Sequence, residues 1–504
     1  MSSQFSAAQA WSRREIAVGI VVLTAYFSLS LGVALTNSPW ADEAYSASTA
    51  WNMVAHGSFA TTNIETAGGW LTRIDKVTYW VMPLYLLASA AWAQIFGVGF
   101  LSLRLMSITW GLIALFSWFV ILNSLSRDRS LALVAVALIG LDYVFIRTAA
   151  NARFEMQAVA LGWLGVAAYL HYREHAFTRS LLIANTLLAL SLFTHPNAVM
   201  IFALLWLAIM ALDARRLHLY HLALSALPFL ICLGLWVWFI TRDYQAFHDQ
   251  FLGNARGRFG SSGGLMNLFR REITQRYLYV FLGNDTLAGI GRLKVLILAG
   301  YAAGIVGGVT LSGVRRSQAG RFLLVAALAT FLMLTTLEGF KNPLYLIYPV
   351  PIYVALFACV AVSLWNARPG LRPLVVTVVI GFMVLNVSGI ALVIRRNTYG
   401  KAFQPMIAFV RTQLVPGELI VGAPELQFGL GFNSNVLDDP RLGFNSGKQP
   451  RLLVVDERYR GWFAGFSARE PKVDAFVQQR LRNEYQVIYA NSVYQVYEHK
   501  EGVR

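Results

Sequence analysis

The chain consists mainly of long apolar runs that are separated by short polar gaps. Because a helix needs about 20 consecutive apolar residues to cross a bilayer, the runs predict an all-α polytopic membrane domain with about 11 transmembrane helices. We place these helices at residues 16–35, 105–125, 130–147, 156–171, 180–194, 198–213, 220–240, 293–312, 322–337, 344–364 and 373–393. The third to sixth runs are short for a lone span, which predicts that they pack against neighbouring helices.

Arginines recur in every second gap between the runs. They are Arg13 and Arg14, Arg127 and Arg129, Arg173 and Arg179, Arg215 and Arg216, Arg315, Arg316 and Arg321, and Arg368 and Arg372. Since short loops rich in Lys and Arg stay in the cytoplasm, this pattern predicts a cytoplasmic N-terminus and an extracytoplasmic C-terminus.

Composition supports a membrane protein. Apolar residues make up 57% of the 504 residues and the mean hydropathy is +0.53, values that exclude an ordinary soluble globular chain. The formal net charge of +16 is divided among separate gaps and forms no patch, so we expect membrane lipids around the protein and no nucleic-acid partner. Cys232 and Cys359 both lie in apolar runs and indicate no disulfide framework.

Two adjacent acids, Asp42 and Glu43, follow the first apolar run directly, in the stretch NSPWADEAYSASTAWNMVAHGSF. The dipeptide Ser38–Pro39 predicts the start of a helix that ends near Gly57. Helical spacing puts Asp42 on one face with Tyr45, Ser46 and Thr49, and Glu43 on another with Ala47, Ala50 and Val54. Acids near a helix N-terminus can simply favour the helix dipole, and that interpretation stays open beside a functional one.

Further ionisable residues fall on the same predicted outer face, where such groups are costly and are candidates for function. They are Asp75, Lys76, Arg104, Glu155, His195, Arg270, Arg271, Arg276 and Lys341. Each also has a structural interpretation. Lys76 and Arg104 can anchor an interfacial helix, the three arginines between 270 and 276 can be solvated or bind lipid headgroups, and His195 can be an ordinary helix-end histidine.

The composition changes after the last apolar run. Residues 397–504 contain the strand-like segments ELIVGA and RLLVVDERY, the helix-like segment VDAFVQQRLRNEY and the hairpin-like segment QVIYANSVYQVYEH. We therefore assign residues 1–396 to the membrane domain, with outer loops at 36–104 and 241–292, the first containing interfacial helices. Residues 397–504 are assigned to a small extracytoplasmic α/β domain.

Six short elements occur in order on the predicted outer face, and together they carry a family resemblance. They are ADEAYSASTAWNMVAHGSF, DKVTYWVMPLY, IFGVGFLSLRLMS, ARFEM, THPNAV and KNPLYLIYPVP. The chain resembles integral-membrane glycosyltransferases of the GT-C superfamily, close to bacterial relatives of dolichyl-phosphate-mannose protein mannosyltransferases and to lipid A aminoarabinose transferases. It departs from the family pattern where Val77 and Thr78 replace prolines, where Met106 replaces a proline, and where Glu155 replaces an aspartate.

The resemblance implies transfer of a sugar from a polyprenyl-phosphate donor to a lipid, glycan or protein acceptor outside the membrane. It also implies that this membrane is the bacterial cytoplasmic (inner) membrane. An inverting displacement needs one general base and a stabilised leaving phosphate. We expect Asp42 to be the base, with Glu43 and Glu155 as further catalytic candidates. Donor phosphate binding is expected from Lys76, Arg104, Arg270, Arg271, Arg276, Lys341 and Tyr345. No cofactor is certain; a divalent metal ion is possible, with Asp75 and His195 as candidate ligands.

Two alternatives remain at this stage. One is a lipid or solute transporter, which would also have many spans, although transporters usually carry ionisable groups near the bilayer midplane and internal repeats. The other is a non-catalytic protein with the same fold, because a fold does not determine a function. The sequence does not reveal the sugar, the acceptor or the oligomeric state.

Overall fold

The computed structural model describes residues 11–69, 71–258, 264–282 and 290–500. Within these residues, nine helices are long and apolar enough to cross a membrane. They include α1 (Arg13–Thr36), α4 (Phe100–Ser126), α8 (Phe177–Thr194), α9 (Val199–Asp213), α10 (Leu219–Ile240), α15 (Val295–Thr310), α17 (Gln318–Leu337), α18 (Val350–Ala367) and α19 (Arg372–Arg396); between α1 and α4 lie α2 (Ala41–His56) and α3 (Pro83–Phe96). The predicted all-α membrane part is confirmed.

Two of the predicted spans differ from the structure. The run at 130–147 is not one helix but two, α5 (Arg129–Gly140) and α6 (Tyr143–Ala149), which meet at an angle of 64°. Asp142 lies at the break, where its carboxylate accepts hydrogen bonds from the backbone N–H groups of Val144 and Phe145 and so caps α6. The bent pair raises the number of candidate spans to at most ten among the described residues.

The fourth predicted span, 156–171, forms α7 (Phe154–Tyr172). This helix is long enough to cross a membrane but is not among the helices apolar enough to qualify. Nearly all of α7 is buried against other helices; its Trp163, for example, packs against Trp118 of α4 with ring centroids 4.6 Å apart. A helix surrounded by protein does not face lipid, so it needs no uniformly apolar surface.

The burial of the spans shows which helices form the core. In α18 and the short helical turn before it, 83% of the most apolar stretch is buried, whereas in α1, α10 and α15 the share is 22%, 17% and 22%. The helices α4, α5, α7, α8 and α18 therefore form the interior, and α1, α10, α15 and α19 lie toward the periphery. Residues 241–292 were predicted as an outer loop, but much of their described part is helical and includes α11 (Tyr244–Phe247), α12 (Gly253–Arg258), α13 (Leu265–Arg271) and α14 (Tyr279–Leu282).

The chain after α19 forms a mixed five-stranded sheet, which confirms the predicted α/β character of this part. Its strands are β1 (Ile420–Gly422), β2 (Val436–Leu437), β3 (Leu452–Val455), β4 (Tyr485–Ala490) and β5 (Gln495–His499), in the order β2-β1-β3-β5-β4. The helices of this part are α20 (Gln404–Thr412), α21 (Gln427–Leu430), α22 (Glu457–Arg469) and α23 (Pro471–Asn483); the short helix α16 (Ser312–Arg315) belongs to the membrane part, where it precedes α17. The pair β4 and β5 is the predicted hairpin.

The segment between α2 and α3 is joined to this sheet. Ile64 pairs with Asp438 in a parallel bridge next to β2, and the Asn63 side chain donates a hydrogen bond to Gln427 at 2.8 Å. Lys448 forms an ion pair with Glu65 at 2.7 Å. The C-terminal part thus packs directly on the segment that follows the two acids.

Candidate functional site

Helix α2 presents the acid pair. It begins at Ala41 with Trp40 as its N-cap residue, so the predicted start at Ser38 and Pro39 lies two residues too early. The backbone N–H of Trp40 donates to the Glu43 carboxylate at 3.1 Å, so the third residue of the helix pairs with the N-cap residue. The helix ends where predicted, because Gly57 has a φ of 64°, a conformation that glycine adopts at low cost.

Glu43 is fully buried. Its carboxylate forms an ion pair with Arg104 of α4, with N–O distances of 2.8 and 2.7 Å, and also accepts a hydrogen bond from the backbone N–H of Ala152 at 2.8 Å. Through these contacts the acid joins α2 to α4 and to the turn before α7.

Arg104 is equally buried and has no free N–H group. Besides the two bonds to Glu43, its guanidinium donates to the carbonyl oxygens of Ala34, Asn37 and Ser38 at 2.7, 2.8 and 3.2 Å. These are the last carbonyl groups of α1 and of the link to α2, which helical hydrogen bonds leave unpaired. The geometry therefore supports a structural function for Arg104, in place of the predicted contact with a phosphate.

Asp42 has a different environment. Its side chain is 34% exposed and forms an ion pair with Arg153, the residue before α7. Arg153 also forms an ion pair with Glu155 at 2.6 Å, and its guanidinium lies over the rings of Trp40 and Phe154, 4.8 Å from each centroid. Arg153 thus connects the accessible Asp42 to Glu155, whose side chain is buried.

A first cavity of about 140 Å³ opens beside Asp42. Arg258 of α12 is part of its wall and was not among the predicted site residues. The Arg258 guanidinium donates to the Tyr345 hydroxyl at 2.8 Å and to the Asn254 side chain at 3.0 Å. The remaining wall consists of Trp80, Val81, Met82, Arg153, Phe154, His195, Pro196, Asn197, Phe251, Ala255 and Glu338.

His195 lies at the end of α8 in the wall of this cavity. Its ring stacks on Phe154 with centroids 4.8 Å apart, and its Nδ1 is 3.1 Å from the Tyr348 hydroxyl. Burial, together with the positive charges of Arg258 and Arg153, lowers the pKa of His195 well below its ordinary value. The imidazole is therefore neutral at physiological pH.

A second cavity of about 300 Å³ lies between the membrane part and the C-terminal part. It shares Asp42, Trp80, Asn254 and Arg258 with the first cavity. Its other wall residues come from α2, from the segment that follows α2 and from the C-terminal part, namely Tyr45, Ile64, Glu65, Ala67, Gly69, Leu71, Asp438, Asp439, Pro440, Arg441, Arg458, Trp462 and Phe466. Asp42 thus lies at the boundary of the two cavities.

Asp438 connects the C-terminal part to α2 within the second cavity. Its carboxylate accepts hydrogen bonds from the hydroxyl of Tyr45, one turn after Asp42, and from Arg458. The Tyr459 hydroxyl donates to the same carboxylate at 2.9 Å, and Arg458 donates to the Tyr45 hydroxyl at 2.9 Å. Sequence inspection missed Asp438 and Arg458 because neither occurs in one of the six elements.

Several predicted phosphate-binding residues lie outside both cavities. Lys76 and Arg270 are exposed, and Arg271 donates to the Gly339 carbonyl oxygen at 2.9 Å. Arg276 and Lys341 are buried in one charge cluster: Arg276 pairs with Glu272 at 2.8 Å and with Glu338 at 2.7 Å, and Lys341 pairs with Glu272 at 3.2 Å. Of the predicted set, only Tyr345 contributes to the first cavity.

The possible metal site has no preformed cluster in the described part of the chain. No three His, Cys, Asp or Glu side chains lie there in an arrangement that could hold a metal ion. Asp75 is exposed, whereas His195 is buried. A metal function for either residue stays a prediction.

Comparison with known proteins identifies the fold. No protein-family model matches the chain, and a search of curated proteins gives no significant match. The structure is similar to that of ArnT from Cupriavidus metallidurans bound to undecaprenyl phosphate, with a TM-score of 0.61 and 14% identity over 95% of this chain and 97% of that chain. For apo ArnT the TM-score is 0.58, with 16% identity over 96% and 98%.

A third similar structure comes from an archaeon. Oligosaccharyltransferase AglB from Archaeoglobus fulgidus, in complex with an inhibitory peptide and a dolichol-phosphate, gives a TM-score of 0.51 and 12% identity over 98% of this chain and 75% of that chain. ArnT, a lipid A aminoarabinose transferase, and AglB are both GT-C glycosyltransferases. The predicted GT-C fold is therefore confirmed.

Proposed function

We propose that this GT-C-fold membrane protein is an inverting glycosyltransferase that moves a sugar from a polyprenyl-phosphate donor to an acceptor outside the membrane. The position of Asp42 carries the proposal, since its partly exposed carboxylate lies where the two cavities meet. A base in this position can take a proton from an acceptor hydroxyl in one cavity while the sugar is held in the other. The ArnT and AglB structures contain undecaprenyl phosphate and dolichol-phosphate, respectively, which agrees with the lipid class of the proposed donor.

The first cavity is the donor site in this proposal. Arg258, whose guanidinium pairs with no carboxylate among the described residues, supplies fixed positive charge, and the Tyr345 hydroxyl can donate a hydrogen bond. The leaving phosphate gains charge as the sugar departs, and such preorganised donors stabilise it. Met82, Val81 and Phe251 give the same cavity an apolar wall, which suits the first isoprene units of the lipid.

We expect Arg258→Ala to raise the KM for a polyprenyl-phosphate sugar by roughly tenfold, the effect of losing one hydrogen bond to a charged group. Arg270→Ala is the matched control, because Arg270 is an exposed arginine of a nearby helix that lines neither cavity. Steady-state kinetics of both purified variants make the comparison. Equal KM values in the parent and Arg258→Ala would remove Arg258 from the donor site.

Of the three predicted catalytic acids, Asp42 is the one with an accessible carboxylate. Glu43 is fully occupied by Arg104 and Ala152, and Glu155 is buried against Arg153. A double displacement would need a second accessible carboxylate as nucleophile, whereas inversion needs only one base. We therefore propose that Glu155 orients Arg153 and that Glu43 holds α2 in position.

The second cavity is the proposed acceptor site. Its walls combine aromatic side chains, such as Trp462 and Trp80, with the charged groups of Arg441, Arg458 and Glu65.

Mass spectrometry of envelope glycans and polyprenyl-phosphate sugars, in cells with and without the protein, tests the proposed function as a whole. Accumulation of one lipid-linked sugar together with loss of one glycosylated product is expected. A transporter would instead leave purified protein without transfer activity.

The proposal requires the two cavities to face away from the cytoplasm. Along the chain, the helix ends that carry Asp42, Arg153 and His195 alternate with the arginine-rich gaps. This alternation supports opposite faces of the membrane for the two groups. We expect a reporter fused after Arg316 to be cytoplasmic and one fused after Arg504 to be extracytoplasmic. Paired phosphatase and fluorescent-protein fusions measure this, and the reverse result at either position would contradict the orientation.

A further inference from the structure

A third cavity lies at the end of the membrane domain that is remote from Asp42. Its volume is about 300 Å³, and it is a crevice between the end of α4, the second half of α9 and the first half of α17. Helix α17 connects the two ends directly, because Glu338, the residue that follows it, lines the first cavity while Gln318 at its start lines the crevice. At a rise of about 1.5 Å per residue, the two positions lie about 30 Å apart.

The wall of the crevice is almost entirely apolar. Leucine, alanine, valine and phenylalanine side chains form it, including Leu207, Ala211 and Val325, and the only polar side chains are those of Gln318 and Arg321. All three helices qualify as membrane spans. A crevice between such helices is in contact with the bilayer, so its natural occupant is an acyl chain of a lipid.

Arg321 gives the crevice a charge preference. The residue is exposed, and its guanidinium forms no hydrogen bond or ion pair with any residue in the described part of the chain. Arg321 lies in the first turn of α17, so the positive end of the helix dipole adds to its own charge. No acidic side chain lines the crevice.

We infer that this crevice binds one anionic phospholipid of the leaflet opposite the active site, with an acyl chain between α4, α9 and α17 and the headgroup phosphate on Arg321. This lipid site depends only on the fold of the membrane domain and does not depend on the proposed transferase activity. Its lipid is a bilayer component and not the polyprenyl donor, since the donor cavity lies at the other end of α17. Binding there would hold the start of α17 against α9.

Retention of lipids by the full-length protein tests this site. The parent protein is equilibrated in micelles with phosphatidylglycerol or phosphatidylcholine of identical acyl chains, and native mass spectrometry counts the bound lipids. We expect one phosphatidylglycerol to be retained with a preference of roughly fivefold over phosphatidylcholine, the effect of one arginine beside an anionic lipid. Equal retention of both lipids by the parent would overturn the inference.

Three variants localise the effect. Arg321→Ala should abolish the preference, and Arg316→Ala should keep it, because Arg316 is an exposed arginine five residues away that does not line the crevice. Ala211→Phe should block the acyl chain and lower the retention of both lipids. Thermal unfolding confirms that each variant is folded. A preference that survives Arg321→Ala, or that is lost equally in Arg316→Ala, would show dispersed surface binding and reject the site.

Discussion

Asp42→Asn is expected to lower the rate of sugar transfer by a factor of roughly 10² or more, because the variant loses its general base. The asparagine has nearly the same shape, but it cannot accept a proton from the acceptor hydroxyl. Asp42 is also the accessible member of the acid pair, with a side chain that is 34% exposed at the boundary of both cavities. Single-turnover transfer with a polyprenyl-phosphate sugar measures the chemical step.

The matched control is Asp75→Asn. Asp75 is an exposed acid in the segment between α2 and α3, and it lines neither cavity. This variant should transfer at the parental rate. Donor binding should be retained in Asp42→Asn, which separates a lost base from a collapsed site. A near-parental rate in a well-folded Asp42→Asn variant would eliminate Asp42 as the base and with it the assignment of the two cavities.

The second large effect concerns stability. Arg104→Ala should lower the free energy of unfolding by about 3–5 kcal/mol, because it leaves the buried carboxylate of Glu43 without its ionic partner. It also removes the donors from the three carbonyl groups at the end of α1. The change should appear as a large fall in the thermal unfolding temperature of the purified protein. Any remaining folded protein should bind the donor normally.

Arg270→Ala serves as the control for stability as well. Because Arg270 is exposed, the free energy of unfolding of the Arg270→Ala variant should lie within about 0.5 kcal/mol of the parental value. Glu43→Gln should also destabilise, since the neutral amide cannot balance the guanidinium. If Arg104→Ala were as stable as the parent but had lost donor binding, Arg104 would return to the phosphate site where the sequence placed it.

Hydrophobic patterning predicts a helix correctly where that helix faces lipid. The peripheral spans α1, α10 and α19 were found from their apolar runs, since lipid contact demands an apolar surface along the whole helix. The pattern is less informative inside the bundle. It did not reveal the bend at Asp142, because the capping carboxylate accepts a bond from Tyr301, 159 residues away.

The part of the candidate site that depends only on helical geometry was predictable from the sequence. Successive residues of a helix point about 100° apart, and this predicts different environments for Asp42 and Glu43, as the structure has them. Helical geometry does not reveal whether a cationic side chain binds a phosphate or pairs with a group of the protein. Arg104, Arg276 and Lys341 all carry the charge that a phosphate needs, but each is already paired with a carboxylate or carbonyl group from another element.

The hydrogen bond between Tyr45 and Asp438 links positions 393 residues apart. Because of this separation, the second cavity can form only after the C-terminal part has been synthesised. At translation rates of about 5–20 residues per second, roughly 20–80 s pass between the synthesis of the two partners. During that time the segment after α2 lacks the sheet on which it packs. A nascent chain can therefore insert all its spans before the second cavity exists, so that acceptors meet a complete site only on finished molecules.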